Sequence, residues 1–229
     1  MMNLSDNTLS VLKNFAGINS NIVFKTGNTI KTMAEAKNVL ARASVSEVFP
    51  DREFGIYDLN EFLGVVGMFD EPELKFSDDM NSVSIAEGKR SVKYFFSDPS
   101  ILTSPSKDIN MPNAEVTFTL TSDDLSTIRK AASTLGVSDV VVTGQDGGQT
   151  AKIVVTDVND STANSFELEI ADVARSAEAF NFVFNIGNFK IISGDYDVSI
   201  SSKLISHFKN KDLDVEYWIA LEKNSTFGG

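Results

Sequence analysis

The chain has 229 residues, 42% of them hydrophobic, enough for one large domain or two of about 100–150 residues with a real core. It has no cysteine and a single histidine, which excludes disulfides, thiolate nucleophiles and cysteine-ligated zinc. Lys plus Arg number 20 against 32 Asp plus Glu, a formal charge of −12; that argues against a broad nucleic-acid-gripping surface, although one basic face can coexist with an acidic exterior.

The opening "MMNLSDNTLS" lacks a basic region followed by an apolar one, so no signal peptide is expected. The first element, "LSDNTLSVLKNFAGI", predicts a helix capped by Ser5, with Leu9, Leu12, Phe15 and Ala16 as its apolar face. Strand signals follow at "NIVFKTG" and "ARASVSEVF". "DLNEFLGVV" then predicts a second, short helix. Asp58 is its cap, Glu61 is placed to reach back to the cap amide, and Leu59, Phe62, Leu63 and Val66 form one stripe. It carries no Lys, Arg, His, Ser or Thr, so its role is packing. "ELKFSD", "SVSIAEG" and "RSVKYFFSD" read as further strands. The longest near-apolar run, "FLGVVGMF", is far short of the ~20 residues a bilayer span needs, so a soluble intracellular protein is expected.

Three of the five prolines, at 99, 105 and 112, break the segment "SDPSILTSPSKDINMPNAE", which reads as a connector. Beyond it come "EVTFTLT", the helix "LTSDDLSTIRKAASTLG" and the strands "SDVVVTG", "AKIVVTDV", "SFELEIAD", "FNFVFNI", "YDVSIS" and "DVEYWIALE". That helix has Thr121 or Ser122 as cap, Leu125, Ile128, Ala132 and Leu135 as face, and Gly136 as stop. The two long helices align at an offset of 116 residues: Leu4 with Leu120, Leu12 with Ile128, Lys13 with Arg129, Ala16 with Ala132. The short helix is echoed at an offset of 127 by "NFVFNIGNFKIIS", pairing Asp58 with Asn185, Leu59 with Ile186 and Phe62 with Phe189. The reading is an internal duplication, each half running helix, strands, helix, strands: an α+β chain with domains at 1–98 and 114–229 and a connector at 99–113.

Parts for catalysis are missing. His207 in "SHFKNKD" reads as lying in a loop, and neither a Ser/His/Asp triad nor a histidine metal site can be assembled. "DVNDSTANSFE" fails as a calcium loop, with Thr162 in place of Gly and Leu168 in place of the bidentate Glu. "GQDGG" reads as a hairpin turn, and Asp78/Asp79 as an acidic turn. No enzyme activity, metal or cofactor is expected. The cations are more informative. Lys13 and Arg129 hold equivalent places beside the two helical stripes, Lys130 adjoins Arg129, and Lys190 follows Phe189 in the same relation. Ordinary solvent-facing charges are one reading; a weakly basic lining shared by four equivalent helices is the other.

"LKNFAGINSNIVFKTG" (12–27), "IYDLNEFLGVV" (56–66) and "SDPSILTSPSKDI" (97–109) closely resemble the DNA polymerase sliding clamp of T-even-type bacteriophages, over essentially the full chain. The resemblance implies a clamp fold with two helices in each repeated domain, and a homotrimeric ring around duplex DNA. It implies a processivity factor for the phage DNA polymerase, also a mobile activator of late transcription, in the cytoplasm of the infected host. Implied partners are an ATP-dependent clamp loader and a late-transcription sigma factor with its co-activator; no membrane is involved. By that layout Lys13, Arg129, Lys130 and Lys190 face DNA. Val92, Tyr94 and Phe96 of strand 90–97 meet Phe166, Leu168 and Ile170 of the next subunit. Partner peptides bind in a groove beneath the connector, touching Ile101, Leu102, Ile109 and Met111. A β-rich structural virion protein is the alternative, which the matched amphipathic helices disfavour; a β-rich hydrolase is third.

Overall fold

A computed structural model describes residues 2–105 and 108–228; Met1, Ser106, Lys107 and Gly229, including parts of the expected connector and tail, lie outside the described residues. The chain forms two compact units, divided at Asp108/Ile109.

The first unit opens with α1 (Asp6–Ile18), whose N-cap Ser5 accepts the Thr8 N–H. Next come strands β1 (Ile22–Phe24), β2 (Gly27–Met33), β3 (Val39–Phe49) and β4 (Phe54–Ile56), then α2 (Leu59–Val66). Strands β5 (Glu73–Phe76), β6 (Ser82–Glu87) and β7 (Arg90–Phe95) and a 3-10 turn, Pro99–Ile101, complete it. β2 pairs with β3, β1 with β4, and β5-β6-β7 form an antiparallel sheet. The short apolar helix answers to its stripe: Leu59, Phe62 and Val66 are buried, and Asp58 accepts the Glu61 N–H at 2.9 Å. Its core neighbours include a cluster of rings, Phe24, Phe49, Phe54, Phe76 and Phe96, with centroids 4.4–6.3 Å apart.

The second unit has strand β8 (Val116–Leu120), α3 (Ser122–Leu135), β9 (Asp139–Gly144), β10 (Ala151–Thr156), β11 (Phe166–Ile170), β12 (Ala174–Arg175) and β13 (Phe180–Asn185). After a 3-10 turn at Ile186–Asn188 follow β14 (Tyr196–Ser201), β15 (Ile205–Asn210), β16 (Val215–Ala220) and β17 (Thr226–Phe227). One sheet has the order β11-β10-β9-β13-β17, and β12-β8-β14-β15-β16 form another run. Thr121 caps α3 in a reciprocal box with Asp124, and Gly136 ends it in a left-handed conformation (φ 68°).

Two expectations change here. The fourth helix is a single 3-10 turn. Asn185 accepts the N–H of Gly187, only two residues on, so it makes a turn where Asp58 makes a cap. Gly187 and Asn188 have poor helix propensity, and Ile191 and Ile192 are β-branched. Phe189 is nonetheless buried, as Phe62 is in the first unit. His207 lies inside β15, not in a loop: its ring stacks on Trp218 (4.8 Å) and its Nε2 sits 2.7 Å from Glu216 Oε2. Alternation had been obscured by the Ser206–His207 pair and the following Lys-Asn-Lys.

Candidate functional site

The expected DNA-facing cations divide between the units. Lys13 is exposed on α1, one residue beyond the buried Leu12. Lys130 is exposed on α3, two beyond the buried Ile128. Arg129, between them in sequence register, is half-buried, and its Nη2 donates to the carbonyls of Phe189 (2.7 Å) and Ile191 (2.8 Å). Burial lowers the basicity of its guanidinium, while the nearby Tyr196 and Tyr217 hydroxyls act in the opposite sense. Lys190, exposed, stands between those two acceptors in the chain. The guanidinium thus ties α3 to the segment after β13, and Arg129, Lys130 and Lys190 belong to one local region of the second unit.

The four apolar connector residues also divide. Ile101 projects into solvent, 71% exposed, while Leu102 packs against Gly55. A Cβ at Gly55 would collide with the Leu102 side chain and lie 2.8 Å from Ser97 O. Ile109 and Met111 are half-exposed and fall in the second unit. Beneath the first unit's stretch of connector lies a cleft of about 410 Å³, between the strands and Pro105. Its walls include Val23, Lys25, Lys31, Arg42 and Asp108, and none of the four anticipated residues lines it. Lys31 and Arg42 come from β2 and β3 and Lys25 from the turn between β1 and β2, and no local spacing in the sequence gathers the three.

The two expected joining strands are both sheet edges. Among the described residues β7 pairs only with β6, and β11 only with β10. On β7, the Tyr94 ring meets Phe62 at 5.3 Å and its hydroxyl donates to Asp58 O, and Phe96, just past the strand end, packs at a tilt on Phe54 at 4.4 Å. Val92 shares that inner face and is half-buried. The opposite face carries Lys93 and Phe95; Phe95 is 66% exposed, with the Lys93 ammonium 4.8 Å over its ring. On β11, Phe166, Leu168 and Ile170 are half-buried and alternate with exposed Glu167 and Glu169. Leu168 and Ile170 help line a groove of about 320 Å³ against Phe118 and Leu120 of β8. The β7 edge strand thus carries Arg90 and Lys93, with Arg90 paired to Glu87 of β6, and the β11 edge strand carries Glu167 and Glu169, with Glu167 paired to Lys152 of β10 at 2.8 Å; Lys93 and Glu169 are the charges left over for a partner.

Among the described residues no cluster of three or more His, Asp or Glu could hold a metal, and no helix is long and apolar enough to cross a membrane.

The comparisons with known proteins agree with one another. A family model described as gp45 sliding clamp, C terminal, matches residues 117–223, and one described as DNA polymerase processivity factor matches residues 5–102. The sliding clamp of Vibrio phage KVP40 is 33% identical over 224 residues, covering 96% of this chain and 99% of that protein. The sliding clamp of Enterobacteria phage T4 is 33% identical over 232 residues, covering 98% and 99%. Among solved structures, A. fulgidus PCNA, bound to the C-terminal region of FEN-1, matches with a TM-score of 0.71 at 14% identity, over 99% of this chain and 100% of that one. The Helicobacter pylori beta clamp, bound to a DNA ligase peptide, matches with a TM-score of 0.66 at 12% identity, over 97% of this chain and 65% of that one. These two likenesses establish the PCNA/beta-clamp fold. The relatives at 33% identity, matched almost end to end, establish more: the chain belongs to the phage sliding clamps, the processivity factors of phage DNA polymerases.

Proposed function

We propose that three copies join head to tail into a ring that encircles duplex DNA in the infected host's cytoplasm and tethers the replicative polymerase. The observation that carries this reading is the pair of strands that end their sheets among the described residues, β7 with the exposed Lys93 and β11 with the exposed Glu169. Two different complementary surfaces on one chain make a heterologous contact, which closes into a ring when the rotation permits. The role is topological and not catalytic, which resolves the charge balance. A clamp needs only a few weak phosphate contacts inside, and the −12 of each copy discourages DNA from binding outside. Retention on nicked circular DNA, with release when the circle is cut, is the direct test. Equal retention on linear DNA would overturn the reading.

Lys13, Lys130 and Lys190 present ammonium groups to DNA, and Arg129 presents its Nε and Nη1 edge. Changing the three lysines together to Gln, with Arg129 left as a brace, is expected to weaken clamp-dependent polymerase stimulation while the oligomer persists. Each lost phosphate contact should reduce the salt slope of DNA association by about 0.9. Unchanged stimulation at physiological salt would refute the assignment.

Partners with short apolar motifs bind beside the connector: the polymerase, an ATP-dependent clamp loader, and a late-transcription sigma factor with its co-activator. Ile101, Leu102, Ile109 and Met111 supply apolar contacts. A buried aliphatic side chain contributes ~1.5–3 kcal/mol, so Ile101→Ser, Leu102→Ser or Ile109→Ser is expected to weaken a polymerase tail peptide roughly tenfold. Leu102→Ser should also loosen the connector from Gly55, whereas Ile101→Ser should leave thermal stability unchanged. If all four substitutions together leave peptide affinity intact, the groove lies elsewhere.

A further inference from the structure

The cleft beneath the connector is unusual for an acidic chain. Lys25, Lys31 and Arg42 all line it, although the protein as a whole carries 32 acids against 20 strong bases. A single acid from the connector, Asp108, enters it and bonds through Oδ1 to the Lys31 Nζ. That bond, with the Lys31 charge and more distantly that of Arg42, holds the Asp108 carboxyl below its usual range. Asp108 itself is well exposed, with 67% of its side chain open to solvent, while the Lys31 side chain is 31% open. Lys25 is bonded to Glu53 at 3.3 Å at the mouth of the cleft. The carboxylate therefore reaches a cationic seat from outside, on a residue that lies in no strand or helix.

We propose that the Lys31/Arg42 wall is a carboxylate seat for partner peptides, and that Asp108 occupies it as an internal stand-in which a bound peptide displaces. This rests on the reading that partner peptides bind beside the connector, and adds what they must carry: a carboxylate, on an acidic side chain or at the peptide's C-terminus, next to the apolar residues. Charge complementarity is the argument for that occupant. The seat already accepts a carboxylate of this chain in bonding geometry, Val23 and Pro105 supply an apolar wall beside it, and displacement exchanges one exposed ion pair for another, so the connector can yield at small cost. Asp108 then sets a threshold, since an uncharged apolar segment gains nothing from displacing it. That is specificity by competition as well as by attraction.

The test uses the full-length clamp and a fluorescent synthetic peptide copying the C-terminal tail of the phage's own DNA polymerase. A second version has its acidic side chains changed to amides, and a third has only its C-terminus amidated. Asp108→Asn is expected to tighten the acidic peptide, and Lys31→Met to weaken it, each by about two- to fivefold at low salt, the size expected of a partly exposed ion pair. Both effects should vanish with whichever version lacks the seated carboxylate, which identifies that carboxylate. Thermal melts of both variants establish that they are folded; if Lys31→Met is not, Lys31→Gln replaces it. Peptide binding that ignores Asp108→Asn and Lys31→Met overturns the seat while leaving the peptide-binding reading intact. No binding of any version to the unmodified clamp fails that underlying reading as well. Equal competition by inorganic phosphate at matched ionic strength, with no preference for the acidic peptide, makes the cleft a general anion site and overturns the proposal.

Discussion

Replacing Lys93 with proline is expected to give a folded monomer. The reason lies in which amides of β7 point outward. The Phe96 N–H donates to Asn81 O at 2.9 Å, and the β6–β7 register pairs Ser82 with Phe95, Val83 with Tyr94 and Ser84 with Lys93. Bonded and unbonded pairs alternate in an antiparallel ladder, so Val92 and Tyr94 bond inward to β6, and Ser91, Lys93 and Phe95 direct their N–H groups to the free edge. Proline at 93 removes only an outward donor, which an edge strand tolerates, while in the proposed ring its side chain would obstruct the β11 of the next subunit. In a closed ring the defect recurs at every joint. Light scattering should report a monomer with unchanged circular dichroism and a melting temperature within a few degrees of the unmodified chain. Lys93→Gln separates the charge from the backbone, and should remain oligomeric at low salt. Tyr94→Pro is the contrasting case, because it deletes an inward bond and the Phe62 contact, and should unfold the hairpin. A persistent trimer in Lys93→Pro would place the joint on another edge.

The duplication was legible because capping and periodicity are local. Ser5 and Thr121, 116 residues apart, both cap as the pattern required, and Leu12, Phe15, Ile128 and Ala132 are buried as the stripes required. What escaped was set by tertiary context. The strands β2, β4, β12 and β17 carried too little signal; β4 is three residues long and β2 opens with Gly-Asn. The echo at Asn185 was misleading in type, since Asn185 caps a 3-10 turn and not a helix, although Phe189 is buried as Phe62 is. Sites were less legible than fold. The cleft cations are scattered over β2, β3 and the turn between β1 and β2, and only folding collects them. Arg129 did have a signal: it falls four residues after Leu125 and three before Ala132, inside the apolar stripe. Lys13 occupies the equivalent place beside Leu9, which is only half-buried, and so stays in solvent.

Arg129→Met is accordingly expected to destabilise the second unit more than any of the neighbouring lysine changes. Residues Phe189–Ile192 form no helix or strand, yet Phe189 and Ile191 are buried, so their polar backbone must be satisfied by side chains. Three of them do it. Arg129 donates to the carbonyls of Phe189 and Ile191, the Tyr196 hydroxyl donates to Ile192 O at 2.6 Å, and the Tyr217 hydroxyl accepts from Ile192 N at 3.3 Å. Removing the guanidinium strands two acceptors; hydrogen bonds to charged donors contribute ~1.5–3 kcal/mol each, and because Arg129 is only half-buried water recovers part of the sum, so a loss of about 2–4 kcal/mol is expected. Thermal unfolding should move down by on the order of 5–15 °C. Arg129→Lys should recover only part, since an ammonium lacks the planar fork. Lys130→Gln should leave the melting temperature unchanged and alter only the salt dependence of DNA association. The tyrosines add a pH signature. Burial pushes the Tyr196 hydroxyl from 10.0 up to about 12, and Tyr217 higher still. Folded values above unfolded ones mean that this contribution is complete below pH 10 and is lost as pH rises towards 12. In Arg129→Met, amide exchange at Ile192 should quicken, because one of the three ties is gone and the segment carrying Lys190 loosens with it. An Arg129→Met clamp that melts with the unmodified chain would show that the brace is dispensable and that Arg129, like Lys130, serves only as charge.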